Sequence, residues 1–342
     1  MDTSLLSTLA MMAPDLMGQL ELRALILERV AALAPIGRRA LAARLNLTER
    51  EVRSAADALR ASGCIVQTAA GMELTAQGRS IVETAYAVSR GRRTLQSMEH
   101  VLQRRLNVER VCVVRGDAAQ DESVLYEAAR EAARQIRFLL QGAHVLAVSG
   151  GRSLALTAEA IEPAAPMEIT VVPAHGGVGG DIRTQANTLA EVFAVRLGGD
   201  YRLLHLPDGL TRSAAQELSA LPQVREALEL LRGADVMLYG VADTRALAQR
   251  RGMNPAEREA LSRSGAVAEA LGFCFVAEGR VIGSGHSLAL RAEELGRSCR
   301  AAIVAAGAEK AEAIAAVCSH HPHRLLVTDE GAAGRLMELL RV

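Results

Sequence analysis

The feature that most restricts this 342-residue chain is a change of rhythm at Val111. From there on, short apolar runs alternate with helical patterns. The runs are Val111 to Val114, Val145 to Val148, Ile169 to Val172, Tyr201 to Leu204, Val236 to Tyr239, Ala301 to Ala305 and Leu325 to Val327. Between them lie a helix to about Leu140, a second after Ser153, one to Leu197, helices to Leu231, helical segments to about Leu271, a helix before Pro322 and a final helix. Runs of this length bounded by helices are strands buried on both faces, so the spacing predicts an α/β, doubly wound domain of about 230 residues. A ligand of such a domain sits outside the carboxyl ends of its strands.

Two strand ends stand out. His144 to Val148 empties into Ser149-Gly150-Gly151-Arg152-Ser153 at the start of a helical pattern, and Ile169 to Pro173 empties into a glycine-rich loop, His175 to Gly180. Asp181 then opens a helix carrying Arg183, Gln185 and Asn187. Unsatisfied N–H groups at a helix start, approached through glycines, form an anion seat, and two such loops side by side suit a small phosphorylated molecule. Gly-Gly pairs are also ordinary turns between strand and helix. Neither loop reads G-x-G-x-x-G, and no G-x-x-x-x-G-K-[ST] occurs, so no nucleotide fingerprint is present.

Ahead of Val111 the pattern is helical. Leu16 to Leu33 is an amphipathic helix that stops before Pro35. Arg38 to Leu45 reads as a helix, Asn46-Leu47 as a tight turn, and Thr48 with Glu51 as a capping box. The helix that follows buries Val52, Ala55, Ala56 and Leu59 and ends at Gly63, which makes a helix-turn-helix. Cys64 to Thr68 and Met72 to Thr75 form a hairpin, and with it the module becomes a winged helix. Six arginines (Arg38, Arg39, Arg44, Arg50, Arg53, Arg60) face three acids (Glu49, Glu51, Asp57) between Pro35 and Gly63. Arg50, Arg53 and Ser54 lie where this motif meets base edges, Arg38, Arg39 and Arg60 suit phosphates, and Thr48 at the helix start is counted with them among the DNA-binding residues. Residues 1–86 are thus read as the DNA-binding domain, 87–107 as a linking and self-association helix with a seam of Leu95, Met98, Val101, Leu102 and Leu106, and 108–342 as the effector domain.

Charge narrows the classes. With 39 basic and 39 acidic residues the chain has no overall field, so contact with DNA must come from that local surplus. Aromatics at 2% and the absence of Trp exclude a base-stacking platform. Five scattered cysteines without C-x-x-C spacing point to a reducing compartment and no structural zinc. The N-terminus lacks the basic flank of a signal peptide and Thr3 to Pro14 is too short to span a bilayer, so a cytoplasmic protein without membrane contact is expected.

The segments PIGRRALAARL, LTEREVR, VSGGRS, VVPAHGGVGGDIRTQANTLA, YRLLHLPDGL, LAQRRG, AVAEALGFCF, GAEKAEAI and VTDEGAA together resemble the SorC/DeoR-type bacterial transcription regulators, in their glycolytic branch. PAHGGVGGDIRTQAN is the most specific of them. The resemblance implies an effector domain like sugar-phosphate isomerases that senses its ligand without converting it, no catalytic residues and no cofactor. It also implies a homo-oligomeric repressor, dimer or tetramer, on operator DNA, with fructose-1,6-bisphosphate or a related sugar phosphate as effector. Position by position, it assigns Gly150, Gly151, Arg152 and Ser153 to a phosphate, His175 to the neighbouring loop, Gln185, Arg250 and Glu269 to the rest of the ligand, and Lys310 to a further phosphate contact. The family loop is Gly-Gly-Thr-Thr where this chain has Gly150-Gly151-Arg152-Ser153, and an Arg is expected where His175 stands; Arg152 supplies the missing guanidinium in this reading. His175 also predicts binding that weakens as pH rises.

Other residues have plainer roles. Cys318, His320, His321 and His323 read as a helix-ending loop and not as a metal site. Asp329 and Glu330 suit the first turn of the last helix. Glu269 is read as a hydrogen-bonding group before a catalytic acid or base, and no acid–base pair is evident. An isomerase or deaminase with an accessory helix-turn-helix remains the alternative, discriminated by turnover of a bound sugar.

Overall fold

The computed structural model describes residues 14–45, 47–162, 165–176, 181–206, 210, 212–250, 252–282, 290, 294 and 299–341, with backbone alone at 14, 15, 17, 83–94, 212, 215 and 250. The chain forms two compact units that divide between Ser97 and Met98.

In the first unit, α1 (Pro14–Leu33), α2 (Arg38–Leu45) and α3 (Glu49–Ala61) precede a hairpin of β1 (Ile65–Gln67) and β2 (Met72–Leu74). The start of α3 is fixed locally. Thr48 accepts the Glu51 N–H on its hydroxyl while Glu51 takes the Thr48 N–H, a complete capping box. At the other end Gly63 adopts a left-handed φ of +74° just past the cap residue, as expected for a glycine there. Val52, Ala55, Ala56 and Leu59 pack with Ala24, Ile26, Leu27 and Val30 of α1 into one apolar core. Leu16 and Leu20, which share the helical stripe in sequence, are exposed, because the core ends below the first turns of α1. Ile36 exchanges both backbone bonds with Met72, so close that a Cβ on Gly71 would lie 2.7 Å from the Ile36 backbone. Helix α4 (Ala76–Leu106) leads out of the unit.

The second unit is built on a sheet of parallel strands in the order β3 (Val108–Val114), β13 (His323–Asp329), β12 (Arg300–Val304), β7 (Val236–Tyr239), β4 (Val145–Val148), β5 (Thr170–Pro173), β6 (Asp200–Tyr201). The connections run one way from β4 through β5 to β6 and the other way from β7 onward, so the topological switch lies between β4 and β7. Helices α5 (Ser123–Leu139), α6 (Arg152–Ala160) and α7 (Ala186–Leu197) line the core with alanines, among them Ala128, Ala132, Ala158, Ala190 and Ala194, interleaved with Ile136, Leu139, Leu154, Leu189, Phe193 and Leu197. Leu102 and Leu106, from the expected seam of α4, are fully buried, whereas Leu95, Met98 and Val101 are half-buried.

Three expectations need correction. The helix expected from Asp181 is interrupted: Asp181 caps a 3-10 turn, Ile182–Thr184, and Gln185 is extended before α7 begins. The strand expected to Leu204 pairs only over Asp200–Tyr201. Leu204 gives its N–H to the Asn187 side-chain oxygen and receives the Asn187 amide on its carbonyl, so its backbone groups are taken by a side chain instead of a ladder. The run to Leu271 is not helical throughout. After α8 (Arg212–Ser219), α9 (Pro222–Arg232), α10 (Thr244–Arg250) and α11 (Pro255–Arg263), the chain forms β9 (Ala268–Ala270) and β10 (Phe273–Phe275). These join β8 (Ala242–Asp243) and β11 (Val281–Ile282) in an antiparallel sheet of order β11-β10-β9-β8. Leu271 and Gly272, both at positive φ (55° and 83°), make the tight turn that closes the β9–β10 hairpin. The last helices are α12 (Ala311–His320) and α13 (Glu330–Leu339).

Candidate functional site

The two glycine loops meet at the carboxyl edge of the parallel sheet, beside the switch. Ser149 ties them to β7: its N–H donates to the Leu238 carbonyl at 3.0 Å, and its hydroxyl accepts the Gly240 N–H at 3.3 Å. The Gly150 N–H donates to Nε2 of His175 at 3.1 Å, and Nδ1 of His175 lies 2.9 Å from the Gly176 carbonyl. Those partners assign the ring: Nδ1 donates and Nε2 accepts. The Gly151 N–H donates to the Thr184 carbonyl at 2.8 Å. Glycine is required at both ends of this contact, since a Cβ would lie 2.7 Å from the Thr184 oxygen at Gly150 and 1.9 Å from the Leu206 oxygen at Gly176.

The N–H groups left open at this edge are therefore not those the sequence suggested. Gly150 and Gly151 do not offer their N–H groups; His175 and Thr184 already hold them. What remains is the first turn of α6, where Arg152, Ser153 and Leu154 present N–H groups that no helical carbonyl can reach and that no side chain among the described residues caps. Arg152 is half out in solvent and paired with Glu122, the residue that precedes α5, and Ser153 is buried.

The other expected ligand positions follow the same edge. Gln185 sits half-buried at the start of α7, one residue from the Thr184 carbonyl that pins Gly151. Glu269, on β9, is buried, accepts the Gly272 N–H at 2.9 Å and stands in register with Ala242 of β8. Lys310 closes a 3-10 turn after β12. Burial pulls its pKa down, against the upward pull of Glu309, of Asp329 at the end of β13 and of Asp243 in β8. The Arg250 side chain and loop residues 177–180 lie outside the described residues.

Sequence reasoning missed the groups that hold this edge together. Asp329 is fully buried and does more than cap α13. Besides the Ala332 N–H at 2.9 Å it accepts Ala118 N–H at 2.6 Å and Gly307 N–H at 2.8 Å, so one carboxylate ties the loops after β3, β12 and β13. Asp117 adds the Ala308 N–H at 3.1 Å. An aspartate directly after an apolar strand run was the available signal.

The histidines near the end of α12 go separate ways. His320 bonds the Gly279 carbonyl and meets Phe275 edge-on, while His321 and His323 stack at 4.3 Å between centroids, tilted by 28°. The Tyr239 hydroxyl lies 3.3 Å from Nε2 of His321 and 2.5 Å from Nε2 of His323. Both Nε2 atoms are thus turned to the same hydroxyl, and among the described residues no group of three or more His, Cys, Asp or Glu could hold a metal ion.

On the first unit, α2 and α3 carry the basic residues in an ordered arrangement. Glu49 takes Arg53 at 2.8 Å on one oxygen and Arg39 at 3.2 Å on the other; Asp57 lies 3.4 Å from Arg60 and 3.8 Å from Arg38. Arg38, Arg39 and Arg60, expected at phosphates, thus each face a carboxylate of their own unit. The Thr48 hydroxyl is engaged in its capping box. Arg50 and Ser54 are exposed on α3, and among the described residues neither Arg50 nor Arg44 has an acidic partner. Arg44, in the last turn of α2, is a cation that sequence reasoning counted but did not place at the interface.

A family model for a sugar-binding domain, Sugar-bind, matches residues 93–338, and a second, for the CggR N-terminal DNA binding domain, matches residues 20–89. The chain belongs to the SorC/DeoR-type family of transcriptional regulators. It is 32% identical over 325 residues to the central glycolytic genes regulator of Bacillus subtilis (strain 168), covering 95% of this chain and 96% of that protein. The same regulator from Priestia megaterium is 32% identical over 98% of both chains. The solved structure of a SorC family transcriptional regulator from Enterococcus faecalis superposes with a TM-score of 0.65 at 30% identity, covering 70% of this chain and 99% of its own. The full-length sorbitol operon regulator SorC from Klebsiella pneumoniae shares the fold over 92% of this chain and 97% of its own, with a TM-score of 0.64 at 17% identity. Residues 93–338 thus match a sugar-binding domain, and the relatives are named regulators, in keeping with the non-enzyme reading.

Proposed function

We propose that this regulator is a repressor, acting as a homo-oligomer on a symmetric operator of glycolytic genes, whose hold on DNA is set by a phosphorylated sugar, with fructose-1,6-bisphosphate as the expected effector. The observation that carries the effector class is the uncapped first turn of α6, with Arg152 on it, at the sheet's topological switch, and Lys310 on the loop after β12. Dipole ends and cations at one sheet edge suit an anionic sugar, and two of them, on separate loops, suit a ligand with two phosphates. Near-full-length similarity to central glycolytic genes regulators supports the choice of genes and effector. Regulation requires that the ligand bind the DNA-bound and free forms with different affinity.

Thermal-shift titrations at pH about 6 and 8 with fructose-1,6-bisphosphate, fructose-6-phosphate, glucose-6-phosphate, dihydroxyacetone phosphate and inorganic phosphate test the reading. A ligand at a hundred times its Kd stabilises the native state by about 2.7 kcal/mol. The expected result is a preference for the bisphosphate. A monophosphate preference would reassign the effector, and no shift with any compound would overturn the sugar-phosphate reading.

A further inference from the structure

We infer that Glu49 is a positioning residue for DNA readout, holding Arg53 for base edges and withholding Arg39 from the phosphate backbone. Its place makes this possible. Glu49 is the first residue of α3, the end of the second helix that meets bases in this motif, and its two oxygens are divided between the helices: Arg53, one turn further along α3, and Arg39, on α2. The guanidinium bonds to Arg53 and then Arg39 hold the Glu49 carboxyl below its usual range, so it stays ionised and both contacts persist at neutral pH.

A lone carboxylate at this position would face the polyanion unscreened. Between two arginines it becomes part of a group with net charge of one positive unit, tolerated near DNA and fixed in orientation. Release of Arg39 to a phosphate would leave Glu49 with one partner beside the backbone, which opposes the exchange. Asp57 repeats the arrangement one face away, between Arg38 and Arg60. Within the six arginines of the helix-turn-helix, the pairing therefore separates four restrained guanidiniums from Arg44 and Arg50, which are free to neutralise phosphates.

Two variants of the full chain separate geometry from charge. Glu49→Gln removes the charge and the fork. Glu49→Asp keeps the charge and remains a favourable first-turn residue, but its shorter side chain cannot span both helices. Binding is followed by fluorescence anisotropy on a random-sequence duplex and on a duplex enriched from a randomised library by the wild-type protein, across salt from about 50 to 200 mM. For Glu49→Gln, random-duplex affinity should rise, with the salt slope steeper by about 0.9 for each arginine that moves to a phosphate. For both variants, preference for the enriched duplex should fall by about fivefold or more, the scale of a lost base contact. A wild-type preference in Glu49→Asp would show that charge alone matters and overturn the inference, as would an unchanged preference in Glu49→Gln. If Glu49→Gln does not fold, the Glu49→Asp preference decides alone.

Discussion

Arg152 answers to two anions. It stands on the first turn of α6, where an anionic ligand would sit, yet its guanidinium is paired with Glu122. Such a half-exposed pair is worth about 0.2–1 kcal/mol, small enough for a phosphate to displace but large enough to register. Glu122→Gln should therefore raise affinity for inorganic phosphate and for fructose-1,6-bisphosphate by about two- to fivefold at low salt, the gain fading as salt screens the pair. Isothermal titration checks it; unchanged affinity would remove Arg152 from the seat. At this scale, local contacts were legible and distant ones were not. The Thr48–Glu51 box could be read because its partners are three residues apart. His175 as the acceptor for Gly150 could not, because 25 residues and the closure of two loops separate them. Residue type suggested a cation at His175; only the fold reveals an acceptor.

Between elements, the stacked His321 and His323 under Tyr239 bear on stability. Burial pushes their pKa values down to about 4 and about 3, from an ordinary 6.5. The folded state thus binds fewer protons than the unfolded chain at intermediate pH, so the stability tied to neutral rings is complete above about pH 6.5 and is lost as pH falls towards 4 and then 3. Urea midpoints measured from about pH 7 to 4 should decline, and His323→Gln, which keeps a polar group near the Tyr239 hydroxyl without titrating, should decline less. Equal slopes would exonerate the pair. Elements divide in legibility along the same line as contacts. Val145–Val148 and Val236–Tyr239 match their sequence reading because a strand buried on both faces leaves a continuous apolar run. Ala268–Ala270 and Phe273–Phe275 did not declare themselves: AVAEALGF suits a helix by composition, while the two runs pair with each other as a hairpin and the first also pairs with Ala242–Asp243, some 26 residues earlier.

For the molecule as a whole, charge and ligand chemistry are divided between two units. The chain is neutral in total, with its basic surplus on α2 and α3 and its sugar-binding domain in the second unit. A ligand stabilises only the structure that binds it. Calorimetry of the full chain should therefore show the transition of residues 98–342 rising with fructose-1,6-bisphosphate while that of the first unit stays in place, and a library-enriched duplex should move the first unit's transition instead. A single transition that moves as one under both ligands would mean that the units unfold together.

The carboxylate of Asp329, which ends three separate connections at one point, has a consequence for descent. No one of those connections can lengthen or shorten without stranding a buried charge. Relatives that diverge in the sugar they recognise are then expected to do so by exchanging side chains around the mouth, as His175 and Arg152 suggest here, and to accommodate insertions and deletions at the amino edge of the sheet.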